Sequence, residues 1–187
     1  KRHGLQGPID DAFTEPFLAV TPTGTPQNAA HAEWVQFTLK RFQNEFDKWM
    51  RATVPAVSDA ELTDSQIAEH NLILFGDPRS NAVLKRILPE LPITWEDGVI
   101  TVSDRRYAMD DHGLSMIFPN PLNRRRYVVI NSGHTFHEKD FLASNAWLFP
   151  RLGDIAVQKF SGNADGSFTE ETVRADNFNS GWQLARD

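Results

Sequence analysis

The most regular hydrophobic pattern in the chain runs through residues 29–52. Val35, Leu39, Phe42, Phe46 and Trp49 recur at steps of 4, 3, 4 and 3, which stacks them on one helix face. Lys40, Arg41, Asp47 and Lys48 fall mostly off that face. Asn28 precedes the pattern as an N-cap and Pro55 follows its end. A second helix start is written in Thr63-Asp64-Ser65-Gln66, whose outer residues can each bond the other's backbone N–H. That helix is short, because the apolar run 71–75 and then Gly76 follow. Ser80 is placed to cap a third helix with Val83, Leu84, Ile87 and Leu88 on its apolar side. Pro89 and Pro92 stop it.

Short apolar runs alternate with these helices at 17–20, 71–75, 127–130 and 154–160. Such runs suit strands covered on both faces, as in a mainly parallel sheet. Residues 93–95 and 99–102, separated by Glu96-Asp97-Gly98, predict a β-hairpin. Residues 105–109 and 114–118 predict a further strand pair across Asp110-Asp111-His112-Gly113, and 138–149 a helix. Residues 162–166 read as a turn before a polar final segment. The expected fold class is α/β: a three-layer α/β/α sandwich on a mainly parallel, flavodoxin- or Rossmann-like sheet, with an antiparallel hairpin insertion at about 93–118. Residues 1–16, punctuated by Gly4, Gly7, Pro8 and Pro16, read as an irregular lead-in to a single domain over 17–187.

Composition narrows the function classes. The 187 residues suffice for one domain with a sizeable core, and 13 Phe with 5 Trp are foreign to a disordered chain. A net charge of −6 argues against a general nucleic-acid binder, whose affinity rests on neutralising phosphates. No apolar run approaches the ~18–20 residues of a membrane span. The lack of cysteine excludes disulfides, thiolate chemistry, iron–sulfur ligation and the usual structural zinc site, and leaves the compartment open. The opening Lys1-Arg2-His3-Gly4, without Met, is expected of an excised or processed piece.

Candidate chemistry is sparse. No Gly-x-Ser-x-Gly elbow is present. Ser132 follows the 127–130 strand but sits too close in sequence to His134 for the two to work as a pair, so it reads as a turn residue. His134 and His137, three apart, are a weak metal pair that His112 beside Asp110 and Asp111 could join; the His-Glu-x-x-His order is missing. The segment from Gly76 to Asn81 joins a strand to a helix, where open α/β sheets bind ligands, but lacks both the P-loop ending and a dinucleotide fingerprint. Arg105-Arg106 and Arg124-Arg125-Arg126 read as solvated or ion-paired.

Three polar loops should gather at the carboxyl edge of the sheet: 21–26, 76–81 and 131–134. Their residues Thr23, Gly24, Gly76, Asp77, Ser80, Asn81, Asn131, Ser132, Gly133 and His134 form the candidate site for a small polar or anionic ligand. The competing reading is ordinary strand-to-helix turns. No catalytic residue, metal ligand or cofactor is assigned.

Taken together, Gly4-Leu5-Gln6-Gly7-Pro8-Ile9-Asp10-Asp11-Ala12-Phe13, the runs at 17–20 and 71–76, Ser80-Asn81, Pro119-Asn120-Pro121 and the stretch 127–133 resemble a region appended after the hydrolase part of large bacterial proteins of the prolyl oligopeptidase/α/β-hydrolase type. The resemblance covers roughly residues 4–160. It implies a non-catalytic accessory domain that assists substrate binding or assembly, with an upstream hydrolase domain of the same polypeptide as partner and a secreted or periplasmic parent. It transfers no triad position, because the nucleophile motif has no match here. The alternatives are a free-standing flavodoxin-like domain binding a small molecule or anion, and a metal-dependent hydrolase using His134 and His137.

Overall fold

The computed structural model describes residues 1–142 and 151–184. In chain order the elements are β1 (Phe17–Thr21), α1 (Ala29–Met50), β2 (Ala56–Ser58), α2 (Asp64–Glu69), β3 (Asn71–Leu74), α3 (Ala82–Ile87), β4 (Ile93–Glu96), β5 (Val99–Val102), β6 (Arg105–Ala108), β7 (His112–Pro119), β8 (Tyr127–Ile130), α4 (Glu138–Phe141), β9 (Ile155–Gly162) and β10 (Phe168–Asp176). The predicted helix at 138–149 is described only as far as α4; from residue 143 it lies outside the described residues.

Local chemistry accounts for the helix ends. Asn28 Oδ1 accepts the His31 N–H at 2.9 Å and starts α1. Val35, Leu39 and Phe42 are buried as the periodicity requires. Phe46 and Trp49 are half-buried, and the buried face extends instead toward the amino end through Thr38, Trp34 and His31. The capping box of α2 is formed by Thr63 and Gln66. The cap of α3 is Asn81 rather than Ser80: Asn81 Oδ1 accepts from Val83 and Leu84 N–H, while Ser80 Oγ accepts from Asp77 N–H inside the preceding loop.

The four apolar runs lie in one seven-stranded sheet of order β10-β9-β7-β8-β3-β1-β2. The sheet is nevertheless mixed, and the three-layer, mainly parallel sandwich is not the architecture. Strands β2, β1, β3 and β8 are mutually parallel, but β7, β9 and β10 join by antiparallel pairing. The reason lies in the connections. Residues 120–126 between β7 and β8, and 163–167 between β9 and β10, hold no crossover helix, and short connections of that kind join antiparallel neighbours. The predicted pairing of 105–109 with 114–118 also fails. Strand β6 pairs β5 in a separate antiparallel sheet, β4-β5-β6, whereas β7 enters the large sheet between β8 and β9. The polar final segment is strand β10, whose burial alternates as an edge strand's does.

Each face of the large sheet buries its own cluster, selected by the pleat. Ala19, Ile73, Ile117 and Val129 meet Trp34, Val35, Leu39 and Phe42 of α1, together with Leu5, Ile9 and Ala12 of the amino-terminal segment. Val20, Leu72, Leu74, Val128 and Ile130 meet Val83, Leu84 and Ile87 of α3 and Trp95, Ile100 and Val102 of the small sheet. The second covering layer is therefore built largely of strands. Among the described residues no helix is long and apolar enough to cross a membrane.

Candidate functional site

Because β1, β3 and β8 are parallel neighbours, the loops that follow them leave from one edge of the sheet. There they bond chiefly to one another. Gly24 N–H donates to the Ser80 carbonyl at 2.8 Å, and Gln27 N–H donates to Asp77 Oδ2 at 2.9 Å. Asp77 Oδ1 accepts from Arg79 and Ser80 N–H at 2.8 and 2.9 Å. The Asn81 amide donates to the carbonyls of Phe75 and Val20. Asn131 exchanges two hydrogen bonds with the Gly76 backbone. Thr23 and Gly24 are exposed; the other eight sequence-predicted positions are buried. Gly76 sits at φ 120°, where a Cβ would lie 2.7 Å from Ser80 Oγ, so the loop requires glycine.

The edge is divided into two chambers. Gly24, Gly76, Asp77 and Ser80 line a cavity of about 140 Å³ with His31 and Pro22. Asn131, Ser132, Gly133 and His134 line a second space of only about 10 Å³, with Thr38, Phe42 and Glu45. That second space has room for roughly one water. The absent Cβ of Gly133 lets the Phe42 ring seat directly on its backbone.

The second chamber is a charged cluster closed on itself. The His137 ring lies 3.1 Å from Glu45 Oε2. Burial pushes the Glu45 carboxyl up, but the His137 hydrogen bond and charge, with the Glu138 N–H, bring it below its usual value. Burial against Phe42 and Phe46 holds the His134 ring below the ordinary histidine value, opposed by the Glu45 charge. Burial raises Asp10, although Thr135 donates to it through both N–H and hydroxyl. Arg151 pairs with Asp140, and Arg41 with Glu170.

Neither chamber assembles a recognisable catalytic constellation. Ser132 Oγ donates to the Gly133 carbonyl at 2.8 Å rather than to an imidazole. His112 pairs with Asp111 at 2.5 Å and His137 with Glu45, so two of the three histidines weighed as metal ligands are held by different carboxylates. Among the described residues no three His, Asp or Glu side chains are grouped to hold a metal ion. Arg124 and Arg126 pair with Glu90 and Glu15, at 2.9 and 3.8 Å.

His31 is the residue the sequence reading missed. Its signal was present: stepping back from Phe42 by the same helical spacing reaches Thr38, then Trp34 and Val35, then His31. A histidine in an apolar stripe at a helix start, beside a carboxyl-edge loop, marks a position for scrutiny. No protein-family model significantly matches the chain, and neither does any curated protein or solved structure.

Proposed function

We propose that this chain is a non-catalytic accessory domain acting beside the catalytic unit of a prolyl oligopeptidase-type serine hydrolase. The resemblance of residues 4–160 supplies the association with a hydrolase. The observation that carries the non-catalytic half is the state of Ser132. It stands at the carboxyl end of β8, where an α/β sheet would present a nucleophile. Its hydroxyl is buried and bonded to the adjacent carbonyl. A serine hydroxyl without a base to take its proton is a weak nucleophile at neutral pH. The nearby His137 is turned to Glu45. A fluorophosphonate probe should leave the purified chain unlabelled; labelling that Ser132→Ala abolishes would overturn the reading. The association is tested by the upstream reading frame, which should carry Gly-x-Ser-x-Gly.

A second reading, a ligand-binding domain in its own right, is favoured by the 140 Å³ cavity beside His31.

A further inference from the structure

A groove of about 550 Å³ opens at the sheet edge opposite the two chambers, where β3 and β8 begin at Asn71 and Tyr127. Its size is that of a small-molecule site. Three arginines line it from two segments far apart in sequence: Arg2, Arg125 and Arg126. Both segments are fixed by their backbones. Arg2 and Leu5 exchange N–H to carbonyl bonds at 3.1 and 2.9 Å, and Asn120 N–H donates to the Arg126 carbonyl at 2.8 Å, closing the 120–126 turn. The Asn123 amide anchors that turn to the carbonyls of Ile67 and Ala68, each at 3.2 Å. Arg2 Nη2 donates to the Arg124 carbonyl at 2.8 Å and joins the two segments. The arginines therefore stand on a preformed frame, which lowers the ordering cost of binding.

The charges on this frame are not balanced. Arg2 and Arg125 are exposed, and among the described residues neither guanidinium pairs with a carboxylate. Arg126 Nη1 lies 3.8 Å from Glu15 Oε2, beyond hydrogen-bond reach, and the Glu15 side chain is 65% exposed. The other wall carboxylate, Asp11, accepts the Tyr127 hydroxyl. His3, exposed on the rim, adds no negative charge. A guanidinium is a planar fork that meets two oxygens of one carboxylate or phosphate group. A hollow of about 260 Å³ continues past Arg2 and Leu5 along Pro119 and Trp182, and leaves room for the body of a larger molecule. The net charge of −6 makes the molecule as a whole repel anions, so an anion held at this edge is held by the groove itself.

We propose that this groove binds a small organic dianion, a phosphomonoester or a dicarboxylate, through Arg2, Arg125 and Arg126, and that Glu15 is a weak internal competitor which the guest displaces from Arg126. This stands on the groove and its charges, whether or not the chain serves a hydrolase.

The test titrates the chain with phenyl phosphate, succinate and acetate in about 0.15 M salt, where charges more than about 8 Å apart are largely screened from one another. Arginine side-chain nitrogen–proton NMR signals, assigned by substitution, report the site. Phenyl phosphate or succinate should move the Arg125 and Arg126 signals saturably, and the tighter of the two identifies the class of the guest. Acetate, with a single charge, should bind about tenfold more weakly than that dianion, the effect of one charge-assisted hydrogen bond. Arg125→Ala, at an exposed position, should weaken the dianion by about the same factor. Glu15→Gln should tighten it by removing the competitor. Arg105→Ala combined with Arg106→Ala takes more positive charge from the exposed face of β6, outside the groove, and should leave the affinity unchanged. Absence of a saturable shift with either dianion, acetate binding as tightly, Glu15→Gln failing to tighten binding, or a loss in the Arg105/Arg106 variant as large as that in Arg125→Ala would each overturn the proposal.

Discussion

The Asn131 side chain and the Gly76 backbone form a closed two-bond ring: Asn131 Oδ1 accepts the Gly76 N–H at 2.8 Å, and Asn131 Nδ2 donates to the Gly76 carbonyl at 2.9 Å. The pair ties the end of β8 to the end of β3 where the backbone ladder stops. Asn131 adopts φ 44°, a left-handed conformation that asparagine tolerates better than most residues. Asn131→Ala should therefore destabilise the domain by about 2–4 kcal/mol, since it strands two buried backbone groups. Asn131→Asp should also destabilise it, because its carboxylate would face the Gly76 carbonyl. Urea unfolding measures both, and a loss below about 1 kcal/mol for Asn131→Ala would show that water satisfies Gly76 equally well.

Phe42 and Gly133 give a second, paired prediction. Phe42→Ala should cost about 3–5 kcal/mol, as for a large buried ring. Gly133→Ala should be destabilising alone, because its methyl group would collide with the Phe42 ring. In the Phe42→Ala background the same change should be far milder, since the collision is gone. A double-mutant cycle by chemical denaturation reads the coupling, and simple additivity would mean that the two residues do not share this contact.

His31 should make the fold acid-sensitive in a defined window. The unfolded chain protonates this histidine near 6.5, as a free histidine does, whereas the folded chain does so only at about 4. Between those values the unfolded state binds the proton and the folded state does not, so stability falls as pH falls from 6.5 toward 4. The full loss is about 3 kcal/mol. His134, also depressed by burial, acts in the same direction. Asp10, whose carboxyl pKa is raised by burial, acts oppositely as pH falls toward its ordinary value. The readout is therefore the difference between the wild-type and His31→Phe stability curves across that window. Parallel curves would show that His31 is already hydrated in the folded state.

Periodicity and punctuation carried the local structure of this protein. The Val35-Leu39-Phe42 stripe, the Asn28 cap, the Thr63–Gln66 capping box and the Asp97-Gly98 hairpin are each decided within a few residues, by side-chain spacing or by a short polar side chain bonding its own backbone. The apolar runs likewise marked the strands that meet in one sheet. What they could not encode is direction and partner. A run buried on both faces looks the same whether its neighbour is parallel or antiparallel, so the reversal of β7 and the departure of β6 into a second sheet were decided by long-range pairing. The site divides in the same way. The loop residues were legible because strand-to-helix junctions have recognisable composition. The engagement of their polar groups with one another, and the separation of His31 from any hydrogen-bond partner, exist only where segments tens of residues apart pack at one sheet edge, with α1 laid across the strands and Trp95 brought in from the smaller sheet.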